Sequence, residues 1–425
     1  MDGQGLLAAM PTTKAASPRC ALTILFLVVA ANLFDRQLIN ILAQDIKLDL
    51  DLSDAELGLL TGTAFGLLKA AFSIPIGAWS DRNDRSRILA GLVALRSVFS
   101  LLCAATTNFP ILLVGRAGAG LGVSAAVPIS TAMAREYFPH RGTSAIAITM
   151  AGNPVGTFLA FLVGGLIAQR WGWRWAFLAA SLPGLLLAWL VLAKLRDNAA
   201  KTTLIGSSWI RDAIGLIRRP LLKPLVCATA GSMFIVNTAT AWMPAFLIRA
   251  HGLGTAQAGF YLAISVGLGG AIGALSGIAC DLIRRRIRHP ESAIMCATLL
   301  LLMPFLLAMV FSSDIGTTLS AFFVYNALAY AWLGPTIRLI QDSVEPRQRA
   351  LAIALCGAVG VFVGLGIGVP LIGWISDLLT PAYGDRGLGI ALCLIVTAAI
   401  SIALVSHLLI LGGLRSAAPS RSGRF

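Results

Sequence analysis

The chain has 425 residues, 57% of them hydrophobic and only 12% charged, with a mean hydropathy of +0.83. A soluble domain carries about 25% charged residues, so a soluble enzyme or a nucleic-acid-binding module is excluded. Long apolar runs without in/out alternation likewise exclude a membrane β-barrel.

Residues 1–20 are small and polar and are expected to form a disordered cytoplasmic tail. Twelve apolar spans follow, at 21–45, 56–79, 87–106, 109–133, 144–168, 173–193, 222–248, 256–280, 292–311, 317–340, 350–373 and 388–411. Each is about long enough to cross a bilayer as a helix. They predict an all-α membrane protein of twelve transmembrane helices, in an amino-terminal bundle (21–193) and a carboxy-terminal bundle (222–411). A cytoplasmic linker (194–221) joins the bundles, and a short basic tail (412–425) ends the chain. In the linker, Trp209, Ile210, Ala213, Ile214 and Ile217 recur at helical spacing near Arg211, Arg218 and Arg219. That segment is either a helix lying on the membrane surface or a flexible tether.

The net charge of +14 reports topology and contact with anionic lipid. With both termini cytoplasmic, most Lys and Arg fall on the cytoplasmic side, as the positive-inside rule requires. The first outer loop carries Asp49, Asp51 and Asp54 around a single Lys47. A multi-pass bacterial inner-membrane protein, monomeric and without a nucleic-acid partner, is the expectation. The first span is full length and carries Asp35 and Arg36, unlike a signal peptide. The seven cysteines form no CxxC or Cys/His set, so no disulfide framework, metal site or cofactor is expected.

The first span also holds the most informative cluster, Asn32, Asp35, Arg36 and Asn40, whose spacing places them on one helical face. Ions at this depth are costly unless paired or wet. Asp35 is the one acid at mid-membrane depth, about 15 Å from the outer end of its span. It is the default proton carrier; the alternative is a permanent ion pair with Arg116 or Arg36. Arg36, Lys69 and Arg116 outnumber it and suit an anionic cargo. Lys69 snorkelling along its helix and Arg116 bracing helices are the competing readings, while Arg96 is read as structural. From the second half, Asn237 and Trp242 in span 7 and Tyr325, Asn326 and Tyr330 in span 10 are candidate cavity liners or interhelical hydrogen-bond partners.

The halves repeat. GAWSD (77–81) ends span 2 and GIACD (277–281) ends span 8, both leading into basic loops. PHRGTSAIA (139–147) is echoed by PRQRALAIA (346–354). GLIAQ (165–169) ends span 5 and GWISD (373–377) ends span 11, at the opposite membrane face. Inverted three-helix units within parallel six-helix halves produce this arrangement. Gly77, Asp81, Arg82, Arg85 and Asp281 are the candidate gate.

On these motifs the chain resembles the major facilitator superfamily. GAWSDRNDRSR (77–87) is similar to the family's loop 2–3 signature, with Asp84 where a glycine is usual; RAGAGLG (116–122) is similar to its helix-4 signature and GWRWAF (172–177) to its entry to helix 6. NLFDR (32–36), PAFLIRAHG (244–252) and 346–354 resemble the Spinster-like branch. The resemblance implies two rocking bundles and transport of a small organic anion or anionic amphiphile such as a lysolipid, with possible coupling to protons. It also implies a glutamate seven residues after Arg116, where this chain has Val123. A channel, a lipid scramblase and a membrane-embedded lipid-modifying enzyme are the other classes. No Ser-His pairing, acidic dyad or intramembrane catalytic constellation supports the enzyme.

Overall fold

The computed structural model describes residues 17–197, 215–216, 219–284, 286–287, 290–345 and 348–416. The linker positions Trp209, Ile210, Arg211, Ala213, Ile214, Ile217 and Arg218 lie outside the described residues, as do 1–16 and 417–425.

Among the described residues the architecture is all-α, with twelve helical spans. Eleven are long and apolar enough to cross a membrane unbroken: α1 Pro18–Leu50, α2 Asp54–Arg82, α3 Arg85–Ala105, α4 Phe109–Tyr137, α5 Pro139–Trp171, α6 Trp173–Lys194, α7 Leu222–His251, α8 Thr255–Ile283, α9 Pro290–Phe311, α11 Leu351–Tyr383 and α12 Arg386–Gly412. The remaining span, α10, is interrupted: Ile315–Ala329, a 3-10 turn Tyr330–Trp332, then Leu333–Asp342. Pro335 explains the break. It has no N–H to return to the Ala331 carbonyl, which accepts from the Ser276 hydroxyl of α8 at 2.6 Å instead.

Short connectors set the helix ends. Ser53 and Glu56 form a capping box at the start of α2, and Asp51 closes α1 in the left-handed region at φ 50°. Asn108 and Asp314 cap α4 and α10 through their side chains.

The face bearing both described chain ends is called here the terminal face, and the opposite one the far face. On the far side one continuous apolar core joins both halves, from Leu38 and Phe161 to Trp242, Leu262 and Val369. On the terminal side it splits. One core is wholly amino-terminal (Leu25, Leu89, Ile129, Val191) and another wholly carboxy-terminal (Leu225, Ile340, Cys356, Ile410). The molecule is therefore shut at the far face and parted at the terminal face.

Two helix pairs make the far closure, α5 with α8 and α2 with α11. Both depend on backbones meeting where a side chain would intrude. A Cβ on Gly373 would stand 2.2 Å from the Asp54 carbonyl oxygen, and one on Gly165 2.9 Å from that of Thr255. Their terminal-face counterparts differ: Gly77 has nothing within 4 Å, and Gly277 only a Gly334 Cα at 3.9 Å. Between them, α2 and α11 each carry a π-helical stretch, Leu59–Thr63 and Phe362–Gly368, which face one another. The Thr63 hydroxyl donates to the Gly366 carbonyl there at 2.7 Å.

Gly373→Ala is expected to force α2 and α11 apart at the far face, read as longer spin-label distances between their far-face ends. An unchanged distance distribution contradicts the close-approach role.

Candidate functional site

The four polar residues of α1 do not share one destination. Adjacent residues on a helix point about 100° apart, and this separates Asp35 from Arg36. Asp35 turns into its own half, where its Oδ1 accepts from the Ser100 hydroxyl at 2.6 Å and its Oδ2 lies 3.5 Å from Arg116 Nη1. Arg96 acts on Asp35 electrostatically and donates to the Ala31 carbonyl at 2.6 Å. Arg116 also lies over the Phe65 ring, 5.2 Å from its centroid. Asp35 and Arg116 have no exposed surface, and Arg96 has 1%. Close packing of α4 encloses them, since a Cβ on Gly120 or Gly122 would meet Phe65 or Arg96 backbone. Asn32 is equally buried, and neither of its amide atoms has a hydrogen-bond partner among the described residues. Asn40 is buried too and donates to Gln37. Val123 is 3% exposed and apolar where the resemblance implies an acid.

Arg36 turns the other way and hydrogen-bonds the Asn237 side-chain oxygen of α7, across the two halves. The Asn237 amide nitrogen is fixed on the Met233 carbonyl at 2.7 Å, which leaves the oxygen to face Arg36. Lys69 of α2 and Tyr330 at the α10 break are both within electrostatic reach of Arg36, and Thr240 adjoins the Tyr330 phenol. Arg36, Lys69, Asn237 and Tyr330 are each partly exposed, unlike Asp35 and Arg116. Each also stands within about two residues of the middle of its span, on elements from both halves. Among the described residues, every acid other than Asp35 lies at or near a helix end or in a connector.

The other candidate liners lie elsewhere. Trp242, Tyr325 and Asn326 are at most 1% exposed. Each donates to a backbone carbonyl, of Val369, Ile235 and Phe322 respectively. A separate cavity of about 390 Å³ between α7, α11 and α12 is apolar, lined by residues such as Phe234, Val363 and Ile395, and holds no charged group.

The far closure carries a charge network that sequence reasoning did not select. Arg249 of α7 grips both Asp54 carboxylate oxygens, at 2.7 and 2.8 Å, and its Nε donates to Gln44 at 2.7 Å. Ser376 and Lys47 also donate to Asp54, which is 1% exposed. In return, Asp377 accepts the Asp54 and Ala55 N–H groups at 2.9 and 2.8 Å, capping α2 from the other half. Gln169 accepts the Ala256 N–H at 2.9 Å, capping α8. The available signal was the repeat itself, because Asp377 and Gln169 are the last residues of GWISD and GLIAQ.

On the terminal face the equivalent residues stay within their own halves. Arg85 bonds Asp81 at 2.8 Å and also Glu136, and its N–H donates to Asp197. Asp281 pairs with Arg338 at 3.1 Å, and Arg284 with Glu291. Arg82 is exposed in the same loop. Partial burial works against ionisation of Asp84 at the start of α3. Hydrogen bonds from Ser86 and Arg87 outweigh it and hold the carboxyl below the usual range.

The Major Facilitator Superfamily model matches residues 25–290. The chain belongs to the major facilitator superfamily. Among its relatives is an MFS-type efflux pump of Mycolicibacterium smegmatis, 31% identical over 89% of each chain. The sphingosine-1-phosphate transporter SPNS2 of Xenopus tropicalis is 27% identical, over 82% of this chain and 72% of that one. A crystal structure of a bacterial homologue of the lysosomal transporter Spinster, inward-facing and occupied, shares the fold with a TM-score of 0.79 at 23% identity, covering 94% of this chain and 98% of that one.

Asp35→Asn leaves Arg96 and Arg116 buried without their acid, a loss expected to cost about 3–5 kcal/mol. It should lower the unfolding temperature in detergent, with partial recovery on adding Arg116→Gln; unaltered stability contradicts the pairing. Arg249→Met leaves Asp54 with only Lys47 and Ser376, cuts its tie to α7, and should raise far-face accessibility, measured by hydrogen exchange at the start of α2. Exchange equal to the wild type contradicts the lock.

Proposed function

We propose that this superfamily member is a secondary transporter that carries a small organic anion or anionic amphiphile by alternating access, with the terminal face cytoplasmic. The observation that carries this reading is the pair of cations at the midplane: Arg36 beside Lys69, on a wall built by both halves. An arginine fork binds carboxylate or phosphate in two-point fashion, and a partly dehydrated cavity strengthens the contact. Asn237 and Tyr330 supply neutral hydrogen-bonding groups from the opposite bundle. The SPNS2 relative, whose named cargo is a lipid phosphate, supports an anionic amphiphile. The preponderance of Lys and Arg on the terminal face supports the orientation.

Rocking follows from the repeat. At the far face, Gly373 and Gly165 allow backbone contact while Asp377 and Gln169 cap the facing helices. Gly77 with Asp81 and Gly277 with Asp281 are the same device, open in this state. In the opposite state they close on the starts of α11 and α5, and the Asp54–Arg249 lock releases. Arg85 and Arg82 then hold the loop that carries Asp81.

Arg36→Gln is expected to weaken binding of sphingosine-1-phosphate or benzoate, whichever the wild type binds, by about 10- to 100-fold. Tryptophan quenching of the purified protein measures it. Labelled-anion counterflow in proteoliposomes separates a carrier, which shows saturable exchange, from a channel. Wild-type affinity in the variant contradicts the assigned site.

A further inference from the structure

Three helices of the carboxy-terminal half pack as a triangle with one side left open. Gly231 brings α7 against α12, where a Cβ would stand 2.9 Å from that of Ala403. Gly364 brings α11 against α7, where a Cβ would stand 3.0 Å from the Met233 carbonyl oxygen. α11 packs on α12 along Val369–Tyr383, whereas its terminal half, Arg349–Val361, packs on α7 instead. The two helices part at the π-helical stretch Phe362–Gly368. From there the groove of about 390 Å³ runs toward the terminal face. Cys227 and Phe234 of α7 form its floor, and Val359, Val363, Ile395 and Ile402 form its walls.

Every lining residue is apolar or carries a thiol. Cys227 and Ile402 are exposed, and Ile402 continues the exposed apolar face of α12 formed by Leu394, Val405 and Leu409. On a spanning helix such a face meets lipid tails, so the groove opens sideways into the bilayer. It does not reach the proposed anion wall. The Gly364–Met233 contact lies between them, since the Met233 carbonyl holds the Asn237 amide.

Charge and depth then select the occupant. Lys223 is exposed at the terminal end of α7, three and four residues before Val226 and Cys227 and therefore on the same helical side. No ion pair answers it among the described residues. Helical rise places Lys223 about 16 Å from the level of Phe234, and the hydrocarbon of one leaflet is about 15 Å thick. A cation at the mouth of an apolar slot one leaflet deep complements a lipid phosphate with its tail below.

We propose that this groove binds one acyl chain of an anionic phospholipid from the terminal-side leaflet, with the phosphate at Lys223. The chain fills the space where α11 leans away from α12. The site is independent of the anion-carrier reading above.

The test uses the full chain in liposomes containing phosphatidylglycerol or phosphatidylcholine, each with a diazirine in one acyl chain. Photolabelled peptides are quantified by mass spectrometry. Phosphatidylglycerol should label 226–234 and 395–402 at least about fivefold more than the lipid-facing α6 segment bearing Leu182, Leu186 and Trp189. It should also label the groove about fivefold more than phosphatidylcholine does, and Lys223→Gln should abolish that preference. Ala398 is exposed on the groove wall, so Ala398→Trp should fill the groove and reduce its labelling to the α6 level. Wild-type groove labelling no higher than that of α6 overturns the proposal. So does groove labelling that survives Ala398→Trp while α6 labelling is unchanged. Equal labelling by the two lipids overturns the phosphate contact at Lys223. Loss of groove labelling in Arg36→Gln would make the groove part of the cargo path. A disulfide between Cys227 of two copies, without lipid label, would make it a contact between copies. Either result overturns the proposal.

Discussion

A guanidinium at the centre of a bilayer must be paired or wet, and α1 meets that requirement in two ways within one turn. Asp35 is matched inside its own bundle with Arg116 and Arg96, in the absence of water-accessible surface. Arg36, the next residue, is left at the interface, hydrogen-bonded across it to Asn237 and partly exposed. The first arrangement stiffens the amino-terminal half. The second keeps positive charge where the two halves meet, and leaves it to be answered by solvent or a ligand.

The same economy governs the gates. Four short segments ending in Asp or Gln recur at helix ends, and their use depends on which face is shut. At the far face the glycines touch backbone and the polar termini cap helices of the opposite half. At the terminal face Gly77 fronts open space, Gly277 meets only Gly334 of its own half, and the acids pair within their own half. The buried Asp54–Arg249 contact adds a bidentate charged bond to the closed side. Loss of either partner would leave a buried charge short of its counter-ion, which ties the closed packing to this pair.

Much of this was legible in the chain. Apolar run lengths placed the twelve spans, and the repeat located four helix ends, but only the terminal-face pair was chosen as the gate, whereas the ends that meet in this structure are those of GLIAQ and GWISD. The polar cluster of α1 was found, but spacing of three and four residues was read as one face, which hid the divergence of Asp35 from Arg36. Asp54 was counted among the acids of an outer loop, since nothing local distinguishes a lock from a solvated carboxylate. Its partners from the other half, Arg249 and Ser376, are nearly 200 and more than 320 residues away. Tyr330 owes its position to a break caused by Pro335, and a run of apolar residues gives no warning that a span is discontinuous. Trp242, Tyr325 and Asn326 have the composition of cavity liners, yet they face backbone carbonyls within the carboxy-terminal half. Helical period cannot decide which neighbour a buried face meets.

The central claim is that the Arg36–Lys69–Asn237 wall is wet and opens to each side in turn. Asn237→Cys, in a protein whose seven native cysteines are replaced, tests it directly with a membrane-impermeant thiol reagent added to one side of oriented vesicles. The account predicts labelling from the terminal face in the wild-type background, and from the far face once Arg249→Met has released the lock. A cysteine at position 237 that reacts from neither side in either background contradicts it.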